Sequence, residues 1–307
     1  MKKTAIRIDS WHGIRFSSIV FLTITFLLSH VSIAQVQTNW PQTTTSADGT
    51  TISYEIYGEG DLSLVFVHGW SCDSRYWQKQ VPTFSKKYKV VLVDLAGHGH
   101  SGTIRETYSM EAFGEDVRAV VEKTGSNNVI LIGHSMGGTV IAQAALLLPQ
   151  KVKGLIAVDD YHNIEYPLSQ EEFDAMVTPL RNDFQSGARQ FVQQMFHPNA
   201  DTISREWILA DMSAAPPHVA LSAMEELMSH SIDGSAAELF EEIPIPIMAV
   251  NGDLWPIDVE ANRRHMESFE AIVVEGGDHF LMVNRSTPFN AALTKAINAI
   301  KKKRAEK

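Results

Sequence analysis

From residue 52 onward the chain alternates between two hydrophobic rhythms. Residues 52–57 alternate in strand fashion, and short apolar runs fall at 64–67, 88–93, 129–132, 155–158, 245–250 and 271–274, with the length and composition of strands. Between them lie longer stretches with helical spacing, notably 110–123, 136–148 and 288–302. Strands separated by helices point to a parallel sheet covered on both faces. Ligands then bind outside the carboxyl ends of the strands. Those ends carry the polar residues His68, Asp94, Asp159 and Asp160, with Gly133 closing the 129–132 run. The alternation breaks between 161 and 242. That region has no strand pattern, only amphipathic helical segments at 170–180, 188–196, 206–212 and 219–230. A helical block between two strands reads as a lid over the strand ends, and its Met195, Phe196, Trp207, Met212, Met224 and Met228 are candidate linings of an apolar pocket.

Composition adds an address. Lys2, Lys3, Arg7 and Arg15 precede an apolar run at 19–28 and the small residues of Ser32-Ile33-Ala34. Residues 1–34 therefore read as a secretory signal cut before Gln35, which implies a secreted or periplasmic protein without a stable membrane anchor after cleavage. The segment holds four basic residues against one acidic (Asp9), so its removal takes the formal charge from −10 to −13. An acidic surface repels phosphate backbones and argues against nucleic acid as a partner. The run Lys301-Lys302-Lys303-Arg304 reads as the solvated end of the last helix. Cys72 is the one cysteine, so there is no intrachain disulfide and no CxxC zinc site, and it reads as a small core residue.

Gly133-His134-Ser135-Met136-Gly137-Gly138 follows an apolar strand and opens a helix. This is the G-x-S-x-G turn in the context that gives it meaning. A strand-to-helix turn this sharp strains the serine backbone and brings its neighbours so close that glycines flank it. It sets the Ser135 hydroxyl at a helix N-terminus, where negative charge is favoured. A serine needs a base, and His279, in Gly276-Gly277-Asp278-His279 after the last strand, is the candidate. A carboxylate must hold that imidazole in one tautomer. Asp253, closing the preceding strand, is the expected acid and gives the order Ser…Asp…His. Asp159 is the main alternative, with Asp160 and Asp258 also in reach. Donors for a developing oxyanion would be the backbone N–H groups of Met136 and Trp70. His98 and His100 sit in a glycine-rich loop without further ligands at metal spacing, so that loop reads as structural. No cofactor or metal is expected.

His68-Gly69-Trp70…Asp73…Trp77, Asp94-x-x-Gly97-x-Gly99-x-Ser101 and the 133–138 turn together resemble the α/β-hydrolase superfamily. The likeness is to its lidded branch of cofactor-free haloperoxidase-type esterases, epoxide hydrolases and carbon–carbon bond hydrolases. It spans nearly all of the chain after the signal. It implies an α/β-hydrolase fold: a mostly parallel eight-stranded sheet flanked by helices, with a helical lid inserted after the sixth strand. The core would comprise 35–160 and 243–307, and the lid 161–242. Two departures stand out. The place where the family commonly carries its acid holds Trp255, which leaves either a shifted Asp253 or Asp159. The nucleophile is serine, against the alkylated aspartate of dehalogenases and epoxide hydrolases. The expected activity is hydrolysis of a carboxylic ester or related small acyl compound through an acyl-enzyme. The same residues would serve a carbon–carbon hydrolase, lactonase or perhydrolase. A different class, a non-catalytic small-molecule binder of the same fold, is suggested by the displaced acid. Oligomeric state is not legible.

Overall fold

The computed structural model describes residues 41–305; the candidate export signal at 1–34 lies outside them. In chain order the strands are β1 (Gln42–Thr45), β2 (Thr51–Tyr57), β3 (Ser63–Val67), β4 (Lys89–Asp94), β5 (Val129–His134), β6 (Val152–Val158), β7 (Ile247–Asn251) and β8 (Phe269–Val273). They form one sheet in the order β1-β2-β4-β3-β5-β6-β7-β8. β2 is antiparallel to both β1 and β4, and every other pair is parallel.

The seven strands expected from the sequence are all present, each with ends shifted by a few residues. β1 is the addition. It lies in the polar threonine-rich segment, where no apolar run marks it. Its β-branched threonines suit an exposed edge strand that pairs with β2 across the turn at Ser46–Gly49. β3 is buried at every position because helices cover both faces of the sheet.

The helices are α1 (Val81–Phe84), α2 (Met110–Lys123), α3 (Met136–Leu147), α4 (Gln170–Asn182), α5 (Phe184–Gln193), α6 (Thr202–Met212), α7 (Pro217–Ile232), α8 (Glu238–Glu241), α9 (Val259–His265), α10 (Leu281–Asn284) and α11 (Ser286–Ala305). α4 to α8 occupy the whole interval between β6 and β7. Their starts are written locally. Ser169 and Glu172 form a reciprocal capping box on α4, Asp183 and Asp201 cap α5 and α6, and Pro217 opens α7. Of the apolar residues expected to line a pocket, Phe196, Met212 and Met224 are buried in packing. The Phe196 ring lies 5.1 Å from that of Phe280, and Trp207 stacks on Tyr76 at 4.8 Å. These side chains fasten the insert to the body, as oily residues at helical spacing usually do. Met228 does line a cavity.

The amino-terminal hairpin is tied down by charge. Arg105 is 4% exposed and donates to the buried carboxylate of Asp116 on α2, with Nη1 to Oδ2 at 3.0 Å, and its other nitrogens reach Asp48 and Ser46. Ser46 Oγ and the Ala96 N–H donate to the same Asp116 carboxylate at 2.6 and 3.0 Å. Removing one member of such a group leaves an uncompensated buried charge. Arg105→Ala is expected to cost about 3–5 kcal/mol, read as a lower urea midpoint; a loss no larger than that of an exposed arginine would contradict the structural role.

Candidate active site

Parallel pairing of β5 with β6 aligns His134 with Val158, so Ser135 and Asp159 leave the sheet side by side. The Ser135 N–H still donates to Val158 O at 3.0 Å. Ser135 then turns at φ 50°, ψ −125° into α3. That left-handed conformation stores backbone strain of order 1–3 kcal/mol, and the surrounding ladder sustains it. The turn is too tight for side chains around it: a Cβ on Gly133 would lie 2.1 Å from Gly137 O. Among the described residues Ser135 Oγ makes no hydrogen bond, and the residue is partly exposed at the N-terminus of α3. The N–H of Met136, first in that helix, has no partner within it.

The loop after β3 closes on this turn. A Cβ on Gly69 would come within 2.8 Å of His134 Nδ1 and 3.2 Å of Ser135 Cβ, so only glycine lets the loop approach. Trp70 follows immediately. Its indole is buried, donates to Ala220 O of α7 at 2.7 Å, and meets Phe184 and Phe191 of the insert edge-on.

His279 and Asp159 form the central pair. His279 Nδ1 donates to Asp159 Oδ2 at 2.7 Å, which leaves Nε2 of the neutral ring as the proton acceptor. Asp159 Oδ1 accepts the Gly252 N–H at 2.8 Å, and His162 Nε2 lies 3.9 Å away. Burial alone would raise the Asp159 carboxyl. The hydrogen bond and charge of His279, with help from His162 and Gly252, reverse this and hold it below its ordinary value. Its ionised form therefore adds stability above the unfolded carboxyl range, and that contribution fades as pH falls through the lower folded value.

The four candidate acids are separated by their backbones. Asp253, expected at the base, is not there. Its N–H donates to Gly277 O, and its exposed carboxylate accepts from the Gly276 N–H at 2.9 Å, on the far side of the loop that carries His279. Gly252, just before it, donates to Asp159, the carboxylate that His279 meets. Asp258 caps α9 through the Ala261 N–H at 2.9 Å, and Asp160 faces a cavity described below. Trp255 packs edge-on against His279 at 5.7 Å.

Three further groups hold His279, and motif reading gave none of them that part. His134 Nε2 donates to the His279 carbonyl at 2.8 Å, with the rings 4.6 Å apart. Burial pushes His134 down to about 3, so it stays neutral. The His279 N–H donates to Met195 O of the insert at 3.1 Å. Asp278 accepts from Phe280 N, from Asn284 Nδ2, and from the insert's His197 N at 3.3 Å. The available signal was the adjacency of His134 and Asp278 to Ser135 and His279.

The remaining sequence candidates are structural. Asp94 accepts from the Ser74 and His100 N–H groups at 2.8 and 3.0 Å, which shapes the glycine-rich loop. His98 is buried on Ala96 O and 4.9 Å from the His68 ring, whereas the His100 side chain is 71% exposed, so the two imidazoles have separate surroundings. Cys72 is buried.

The alpha/beta hydrolase fold family matches residues 63–206. A pimeloyl-[acyl-carrier protein] methyl ester esterase of Wigglesworthia glossinidia brevipalpis is 28% identical over 240 residues, covering 74% of this chain and 90% of the esterase. A non-heme chloroperoxidase of Streptomyces lividans is 27% identical over 228 residues, 68% of this chain and 80% of its own. Among solved structures, an esterase from Exiguobacterium antarcticum superposes with a TM-score of 0.74 over 85% of this chain and all of its own, at 20% identity. Strand order, the strained turn after β5 and these similarities define an α/β-hydrolase fold. The sequence is similar to that family over residues 63–206 and to its esterase and chloroperoxidase members over about two thirds of the chain or more.

The pairing of His279 with Asp159 has a direct spectroscopic consequence. The proton on His279 Nδ1 is expected as a low-field imidazole resonance that disappears in Asp159→Asn and persists in Asp253→Asn. Loss of the signal in the Asp253 variant alone would contradict the assignment.

Proposed function

We propose that the chain is a serine hydrolase that cleaves a carboxylic ester, or a closely related small acyl compound, through an acyl-enzyme. One observation carries this reading: a serine on a strained turn stands beside the end of β6, where a histidine is already oriented by a buried carboxylate. The esterase named among the relatives supports the substrate class.

In this reading Ser135 Oγ attacks the acyl carbonyl while His279 Nε2 takes its proton. Asp159 stays ionised throughout and stabilises the imidazolium. The Met136 and Trp70 N–H groups receive the developing oxyanion; the close packing of the Gly69 loop on Ser135 supports the second of these. His279 then returns the proton to the leaving alcohol, activates a water, and Ser135 is released. The acid role passes from Asp253 to Asp159, so a displaced acid no longer motivates a non-catalytic binder. The insert α4–α8 acts as the lid: it touches the base through Met195 and His197 and walls Trp70 through Ala220, Phe184 and Phe191. The amino-terminal reading adds export to the periplasm or medium, and the acidic balance sets nucleic acid aside as a partner.

A fluorophosphonate probe followed by peptide mapping tests the proposal, with label expected on Ser135 and on no other residue. Ser135→Ala and His279→Ala are expected to lower kcat on a short p-nitrophenyl ester by about 10⁴ or more. Asp159→Asn is expected to lower it by roughly 10³–10⁴, and Asp253→Asn to leave it near wild type. Folded protein that resists the probe, or rapid turnover by Ser135→Ala, would overturn the reading.

A further inference from the structure

A cavity of about 490 Å³ opens between α3, the chain that follows Asp159, and the C-terminal part of the insert. Its volume is that of a small-molecule pocket, roughly 300–1,000 Å³. Neither Ser135 nor His279 lines it, so the chemistry of the triad does not account for it. The walls carry three carboxylates, Asp160, Glu238 and Glu242, and no lysine or arginine. Leu227, Met228 and Phe240 give it an apolar side.

Asp160 is the wall that calls for explanation. Its neighbour Asp159 has a donor on each oxygen. Asp160 has its backbone fixed on both sides by Asn251, accepting from Nδ2 at 2.8 Å and donating to Oδ1 at 3.4 Å. Its carboxylate is met by the backbone N–H of Tyr161, and among the described residues no side chain donates to it. Oδ2 lies against α3, in the space that a Cβ on Gly138 would need. Burial pushes the carboxyl up to about 7 against the pull of the Tyr161 N–H and of His279, and the nearby charge of Asp159 adds a little to the rise. The side chain is only partly exposed on the cavity wall, so an opposite charge arriving there would favour its ionised form. Glu238 and Glu242, exposed at the rim, give an approaching cation a favourable field. The remaining titratable groups of the wall are His162, which burial lowers against the pull of Asp159, and His230.

We propose that this cavity binds a small organic cation, with an ammonium group against Asp160 and a compact apolar body against Leu227, Met228 and Phe240. The inference does not rest on the serine-hydrolase reading, because binding is measured without turnover. The ammonium is either the charged end of a substrate or a separate effector.

Calorimetric titration of the full chain with benzylammonium and with neutral benzyl alcohol, at pH 8 where Asp160 is ionised, tests the site. A charge-assisted contact should make benzylammonium bind about tenfold or more tightly than the alcohol. Asp160→Asn should abolish that preference, and Met228→Trp, which fills the apolar side, should weaken both probes. Glu238→Gln/Glu242→Gln changes exposed residues only and keeps the test open if Asp160→Asn fails to fold; it should weaken benzylammonium and leave the alcohol unchanged. Equal binding of the two probes, no binding of either, or an undiminished preference in Asp160→Asn would overturn the proposal. Benzylammonium that slows labelling of Ser135 assigns the site to the substrate path, and an unchanged rate assigns it to an effector; both outcomes retain the site.

Discussion

A carboxylate sealed at the end of a parallel sheet has to be given partners, and Asp159 is that carboxylate. It is buried at the tip of β6, where an unpaired charge would cost several kcal/mol. Its two oxygens are met from different segments, one by the Gly252 N–H at the end of β7 and the other by His279 after β8. The pair thus joins three strand ends. Ser135, at the end of β5, is brought beside it by the register of the ladder.

The imidazole in turn has to be held, and the structure holds it by its backbone. His134 fixes the His279 carbonyl, Met195 accepts its N–H, and Asp278 gathers the flanking loop. Two of these contacts reach into the insert. Motion of the insert would therefore act on His279 itself. The strain follows the same geography. Positive φ angles at Ser135, Asp159 and Tyr161 occur where chains leave adjacent strands. Such conformations persist because the surrounding hydrogen bonds over-determine them.

Much of this was legible in the sequence. Strand-like stretches mark seven of eight strands, and the central ones are the clearest because they bury both faces and must be continuously hydrophobic. β1 escaped because an edge strand of threonines meets no such demand. Ser135 was legible because steric crowding forces glycines around it, and those glycines are in the sequence. The acid was not. Asp159 and Asp253 both follow strands, and what separates them is which backbone N–H each is obliged to meet, a fact of loop geometry that residue type does not encode. The apolar residues of the insert misled in a similar way: Phe196 and Trp207 look the same in sequence whether they line a pocket or seal an interface.

The central claim is that Ser135 carries the acyl group while Asp159 and His279 serve it. Acid quenching of the protein during the first turnovers of a p-nitrophenyl acyl ester, followed by peptide mass mapping, reads that step directly. The account expects a burst of nitrophenolate matched by an acyl adduct on the peptide containing Ser135. Sustained ester hydrolysis with the acyl group found on another residue would contradict it.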